Sequence, residues 1–206
     1  MRVEIGVLVG GVAPISIFGA VELPFRFSAD PISASQSWER AVSNTVMNEG
    51  QILADEAATL ALGAQIATLL QPGDCIALYG DLGAGKTTLA RGILQALGLE
   101  DEAPSPTFAI VQPYEPPETT IPVWHIDLYR LEDPAEAVEL GLDDARRDAA
   151  MLIEWPERLG AGLWKDTLKL YLTIEPQPVG EAVGQSAARR LTATVPQAWE
   201  ERWPPA

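Results

Sequence analysis

Residues 74–98 read DCIALYGDLGAGKTTLARGILQALG. Cys75 to Tyr79 form a short apolar run that ends on glycine, the pattern of a strand buried on both faces of a parallel sheet. Leu89, Ile93 and Leu97 are spaced four apart and Gly98 follows them, the pattern of a helix with one apolar stripe and a glycine past its end. Between strand and helix, Gly80 to Thr87 match G-x-x-x-x-G-K-[ST] at every position. Strand, glycine loop and helix in this order are the context in which the motif carries chemistry. Glycines at 80, 83 and 85 let backbone N–H groups turn inward, and the helix N-terminus adds partial positive charge at the same point. The loop from Asp81 through Leu82, Gly83, Ala84 and Gly85 is therefore expected to cradle phosphates. Lys86, one of three lysines in the chain, is expected to reach the β- and γ-phosphates. The Thr87 hydroxyl is expected to ligate Mg²⁺, and Thr88 to make a neighbouring phosphate contact.

Holding phosphates is half of the chemistry; hydrolysis also needs a metal ion and a positioned water. Two acids follow predicted strands. IPVWHIDLYR places a strand over Ile121 to Ile126 that ends at Asp127, and AAMLIEWP runs Met151-Leu152-Ile153 into Glu154 before Pro156 stops it. In open α/β sheets the ligand lies at the carboxyl ends of the strands, so both acids are expected to face the phosphates. His125, the chain's one histidine, lies two residues before Asp127 and so on the same side of the strand; a lone histidine in such a place more often packs than catalyses. In SPTFAIV, Ser105 and Thr107 stand in a loop that leads into a strand, where a plain turn and a γ-phosphate sensor are equally open. Guanine-specific proteins with this loop commonly use Asn-Lys-x-Asp to read the base. The only asparagines here, Asn44 and Asn48, precede the motif, which makes ATP the expected nucleotide.

The chain has 206 residues and a net charge of −15, with Lys+Arg 14 against Asp+Glu 29. No cationic excess exists to track a polyanion, so any role in a nucleic-acid pathway is expected to run through a partner, with no direct DNA site. A single cysteine, Cys75, excludes an intrachain disulfide and fits a reducing, cytoplasmic setting. Hydrophobic residues at 47% and charged residues at 21% allow a packed core.

Residues 1–46 differ in character. Their apolar start is broken by Gly10, Gly11, Pro14 and Gly19 and flanked by Glu4 and Glu22, which fits neither a membrane helix nor a signal peptide. They are expected to be a disordered extension or a mis-assigned start, with the domain occupying 47–206. Within that domain, Asp55 is expected to cap a helix presenting Leu60, Ala64, Ala67 and Leu70, which Pro72-Gly73 ends. EDPAEAVELG predicts a helix capped by Asp133, with Pro134 in its first turn and Gly141 at its stop. TLKLYLTI and RRLTATV alternate, placing Leu168, Leu170, Leu172 and Ile174, then Leu191, Ala193 and Val195, on one face of a late β-hairpin. The fold class read here is α/β: a three-layer P-loop domain, mostly parallel, with a C-terminal antiparallel hairpin.

GDLGAGKTT, SPTF, HIDLYRL and LIEWPERL, in this order and spacing, resemble the TsaE family over about Ile52 to Val195. The resemblance implies a small bacterial P-loop ATPase required for threonylcarbamoyladenosine formation in tRNA. It implies work beside TsaB and TsaD, with TsaD transferring the group to the adenosine next to the anticodon and tRNA engaged only through the complex. By resemblance Lys86 and Thr87 take the phosphate and Mg²⁺ roles, Glu154 the second metal position, and Asp127 an essential acidic position near the γ-phosphate. Glu56 matches a nucleotide-contacting position. A basic residue of the final hairpin does too; Arg189 and Arg190 compete for that role, with Arg190 the one assigned. The alternative function is a small-molecule kinase of the P-loop class. It would usually carry a basic lid, and no Arg or Lys lies between Arg91 and Arg130.

Overall fold

In the computed structural model, residues 45–46, 50–100, 103–106, 109–176 and 187–205 are described. Readings that concern residues 1–44 and Thr107, and most of the loop joining the late hairpin (177–186), lie outside them. Strands are β1 (Thr45–Val46), β2 (Gln51–Leu53), β3 (Cys75–Tyr79), β4 (Val111–Tyr114), β5 (Val123–Asp127), β6 (Ala150–Glu154), β7 (Leu168–Ile174) and β8 (Arg189–Val195). Helices are α1 (Glu56–Ala67), α2 (Lys86–Ala96) and the single turns α3 (Glu136–Glu139) and α4 (Leu142–Ala145), with 3₁₀ segments at Pro156–Gly162 and Gln197–Trp199.

The strands form one sheet in the order β1-β8-β7-β3-β6-β5-β4, with β2 also paired to β8. The central strands β7, β3, β6 and β5 are mutually parallel. The flanks are antiparallel, β4 on β5 and β8 on β7, with β1 and β2 on the far edge of β8. This is the α/β fold with a mostly parallel core read from the sequence. The late hairpin is less separate than expected, because β7 is itself a parallel neighbour of β3. Thr45–Val46, ahead of the boundary placed at residue 47, pairs with Val195 and Thr194.

Two cores flank the sheet because successive strand residues point to opposite faces. In β6, Leu152 joins the core shared with α1 and α2, while Met151 and Ile153 join a second core with Ala137, Leu142 and Leu159. In β3, Ile76 and Leu78 face the first core and Cys75 the second. Three layers follow from this alternation. Fully burying a side chain of this size contributes about 1.5–3 kcal/mol, so the short strands depend on both layers.

Asp55 does cap α1, its Oδ1 accepting from the Ala58 N–H at 2.8 Å. The buried face only partly matches the one read from spacing: Ala67 and Leu70 are buried as expected, but Leu60 and Ala64 are half-buried and Thr59, Leu62, Gly63 and Ile66 complete the interior. The reason is a close crossing with α2. A Cβ on Gly63 would stand 2.8 Å from Gly92 Cα, and one on Gly92 would stand 2.5 Å from the Leu60 carbonyl oxygen. Backbone meets backbone there, and the residues around Gly63 become the interior. α2 matches its expected stripe, with Leu89, Ile93 and Leu97 buried and Gly98 at φ +115°.

The helix expected over Asp133–Gly141 is two single turns. The Asp133 N–H donates to Glu136 Oε1 and Asp133 Oδ1 accepts from the Ala135 N–H, a reciprocal cap, but Gly141 at φ +66° reverses the chain after one turn. In β7 the apolar alternation holds through Leu172, and Ile174 is exposed at the strand's end. The chain's C-terminal segment is tied back by Arg202, whose guanidinium donates to both oxygens of Asp74 at 2.7 and 2.9 Å. None of the helices among the described residues is long and apolar enough to cross a membrane.

Candidate nucleotide site

Parallel alignment of β3, β6 and β5 gathers the site. Glu154 pairs in register with Leu78 on one side and Asp127 on the other. The ends of three central strands therefore meet beside the loop that leaves β3 at Gly80. That loop is built for glycine. A Cβ on Gly80 would lie 2.4 Å from the Leu172 carbonyl oxygen, and Gly85, at φ +103°, caps the helix from the left-handed region. The result is an open cleft of about 240 Å³, lined by the loop from Leu82 to Thr88, by Ser105, Asp127, Tyr129, Glu154 and Trp155, and by Arg189.

Lys86, Thr87, Asp127 and Glu154 converge as expected. The Thr87 hydroxyl donates to Glu154 Oε2 at 2.9 Å. Glu154 and Asp127 are 2% and 3% exposed, so two acids are held side by side where water cannot screen them well. Asp127 Oδ1 accepts from the Tyr129 N–H at 2.9 Å, which fixes its carboxylate at the turn after β5. Lys86 Nζ donates to the Gly80 and Asp81 carbonyls at 2.6 and 3.0 Å and lies 3.8 Å from the centre of the Trp155 ring. Burial lowers the Lys86 pKa from its ordinary value, opposed first by the Glu154 carboxylate and then by Glu157, Asp127 and Asp81. An anionic ligand at the loop would restore what burial takes away.

A hydroxyl and a carboxylate already within hydrogen-bond distance suit Mg²⁺, which takes few protein ligands and completes its shell with water and phosphate oxygens. No cluster of three His, Cys, Asp or Glu residues able to hold a metal by itself occurs among the described residues. The Thr87–Glu154 pair would fit a metal ion whose remaining ligands are water and phosphate oxygens.

Of the other residues assigned from the sequence, Leu82, Gly83, Gly85 and Thr88 line the cleft, Ala84 is buried beneath it, and Asp81 contributes its carbonyl to Lys86. The described lining does not include Glu56, which is exposed at the start of α1. Nor does it include Arg190, whose Nε donates to Glu175 Oε1 at 2.6 Å. Arg189 lines the cleft instead. Neighbours on one strand point to opposite faces, so only one of the two arginines can face the loop. Ser105 of the candidate sensor loop lines the cleft as well.

Tyr129 and Trp155 were not singled out from the sequence. Their signal was position: each follows a site acid within two residues, inside the D-L-Y-R and E-W-P strings. Their rings stand 4.9 Å apart. Trp155 adopts φ 57°, a left-handed conformation uncommon for a bulky side chain, and such outliers gather at functional sites. Here it turns the chain sharply after Glu154 and brings the indole under Lys86.

The model of the family described as threonylcarbamoyl adenosine biosynthesis protein TsaE matches residues 53–181. A tRNA threonylcarbamoyladenosine biosynthesis protein TsaE from Streptomyces coelicolor is 37% identical over 145 residues, spanning 69% of this chain and 91% of that protein. The Bacillus subtilis protein of the same name is 36% identical over 55% of this chain and 70% of its own length. The crystal structure of Bacillus subtilis YdiB superposes with a TM-score of 0.60 at 25% identity, covering 77% of this chain and 93% of that one. The matched residues span α1, the glycine loop and both site acids, well over half of the chain, and on that ground the chain belongs to the TsaE family.

Proposed function

We propose that this chain is a Mg²⁺-dependent ATPase that supports threonylcarbamoylation of the adenosine next to the anticodon in tRNA. It acts with TsaB and TsaD homologues and does not transfer the group itself. The observation that carries the reading is the convergence of Lys86, the Thr87–Glu154 pair at 2.9 Å and buried Asp127 on one glycine loop at the strand ends. Membership of the TsaE family supplies the pathway, since the relatives are named for tRNA threonylcarbamoyladenosine biosynthesis.

In this reading the loop amides and Lys86 hold the β- and γ-phosphates, and Arg189 adds charge from β8. Thr87 and Glu154 hold Mg²⁺, which when bound draws negative charge from the phosphate oxygens. Asp127, fixed by the Tyr129 N–H, orients the attacking water. The water oxygen bonds to the γ-phosphorus as the bond to the bridging oxygen breaks, and the water's proton passes to a phosphate oxygen, giving ADP and phosphate. Ser105, at the cleft rim, senses whether the γ-phosphate is present. With a net charge of −15 the protein is a poor tRNA binder alone, and the tRNA is held by its partners.

The test mixes the purified chain with TsaB, TsaD, unmodified tRNA, MgATP and an activated threonylcarbamoyl donor, and measures the modified nucleoside over repeated cycles. Yield is expected to require this chain and to fall with Glu154→Ala. Equal yield from wild type, Glu154→Ala and no added chain would remove the function. ATP turnover without any small-molecule acceptor separates this reading from a kinase.

A further inference from the structure

His125 belongs to none of the roles above, yet it is the most completely enclosed polar side chain near the site, 0% exposed in the middle of β5. Its Nε2 lies 2.9 Å from Glu154 Oε1. The two residues are not direct cross-strand partners. His125 faces Leu152 in register and Asp127 faces Glu154, so the contact is a diagonal one that only a long side chain can make. It occupies one carboxylate oxygen, and the Thr87 hydroxyl occupies the other at 2.9 Å. A glutamate tethered at one oxygen alone keeps freedom about its last torsion. Tethered at both, it presents Oε2 to the loop and no other atom.

We infer that His125 is a positioning residue for divalent cation binding: its Nε2–H donates to Glu154 Oε1 and so holds Oε2 beside the Thr87 hydroxyl. The inference rests on the nucleotide reading above and adds the residue that orients its carboxylate. Three observations agree. Glu154 accepts, so Nε2 must donate. His125 Nδ1 is buried with no hydrogen-bond partner among the described residues, so among them the Glu154 contact is the ring's polar tether. The ring is also fully buried on β5, which pairs with β4 on one side and β6 on the other, so packing encloses it. Groups that orient a metal-binding side chain typically govern metal affinity by 10–100-fold.

The experiment measures Mg²⁺ dependence of ADP and non-hydrolysable ATP-analogue binding by calorimetry, for wild type, His125→Leu and His125→Gln. Leucine removes the donor, whereas the glutamine amide can reach the place of Nε2. The Mg²⁺ concentration giving half of the metal-dependent gain in affinity is expected to rise ~10–100-fold in His125→Leu and to return to within a few-fold of wild type in His125→Gln. An unchanged Mg²⁺ requirement in His125→Leu overturns the inference, as does equal loss in both variants. Wild-type protein supplies a readout independent of either variant's folding. Because His125 is the only histidine, ¹⁵N-histidine labelling of untagged protein yields one pair of ring signals. A proton on Nε2 supports the inference, and a ring whose Nε2 carries none overturns it. If wild type itself shows no Mg²⁺-dependent nucleotide binding, the nucleotide reading fails and takes this inference with it. If wild type binds and His125→Leu matches it, only the role of His125 fails.

Discussion

Gly92→Ala adds one methyl group at the crossing of α1 and α2, and the structure indicates where it goes. The new Cβ would lie 2.5 Å from the Leu60 carbonyl oxygen, 2.9 Å from its Cα and 3.1 Å from its carbonyl carbon. All three are backbone atoms, so no side chain can rotate away and the helices must separate. Overpacking of this kind costs ~1–3 kcal/mol. Three simultaneous backbone contacts place it in the upper part of that range, while the better helix propensity of alanine returns up to ~1 kcal/mol. A net loss of ~1–2 kcal/mol corresponds to a Tm lower by ~2–8 °C for a chain of this size. The effect reaches the site because α2 begins at Lys86 and Thr87, so a shifted helix moves Thr87 relative to Glu154. Affinity for a fluorescent ATP analogue is therefore expected to fall together with Tm. Gly63→Ala, whose Cβ would meet Leu89 O at 2.7 Å and Gly92 Cα at 2.8 Å, should act alike. The double variant should lose less than the sum, since one separation accommodates both methyl groups. Thermal unfolding and analogue titration on the four proteins make the assay. A Gly92→Ala protein at least as stable as wild type, with unchanged affinity, would refute the close-crossing argument.

Lys86→Ala should weaken ATP-analogue binding ~10- to 150-fold, the equivalent of a charge-assisted hydrogen bond worth ~1.5–3 kcal/mol, and near wild-type affinity in a direct titration would count against the loop as the phosphate site. Arg189→Ala should weaken nucleotide binding, whereas Arg190→Ala, which removes the contact with Glu175, should leave it unchanged; the reverse order in a paired titration would reassign the hairpin cation. Burial pushes the Cys75 thiol up to about 12, so at pH 8.5 alkylation followed by mass spectrometry should label the unfolded chain in urea and spare the folded one. The sign for stability follows: a raised thiol pKa contributes stability that is full below the ordinary thiol value near 9 and is lost as pH rises toward 12. Urea midpoints that do not fall across that window would show that Cys75 opens to solvent without unfolding.

The sequence alone determined the pieces whose signals are local. Gly80 to Thr87 announced the phosphate loop because its chemistry lies in consecutive residues, and β3 and α2 were legible on either side of it. Asp127 and Glu154 were legible as acids at the ends of apolar runs, since the carboxyl end of a buried strand is a place readable from one segment. Tertiary structure decided what depends on two segments at once. The register of β5, β3 and β6 puts Asp127 and Glu154 side by side and lets His125 reach Glu154 diagonally. The buried face of α1 kept Ala67 and Leu70 from its spacing, but the glycine crossing with α2 turned Thr59, Leu62, Gly63 and Ile66 inward in place of Leu60 and Ala64. Arg189 was separated from Arg190 only when β8 took its place between β7 and the strands β1 and β2, because that pairing decides which way each residue of the strand points. Periodicity is a property of one element, whereas facing is a relation between elements, and the site of this protein is made of facings.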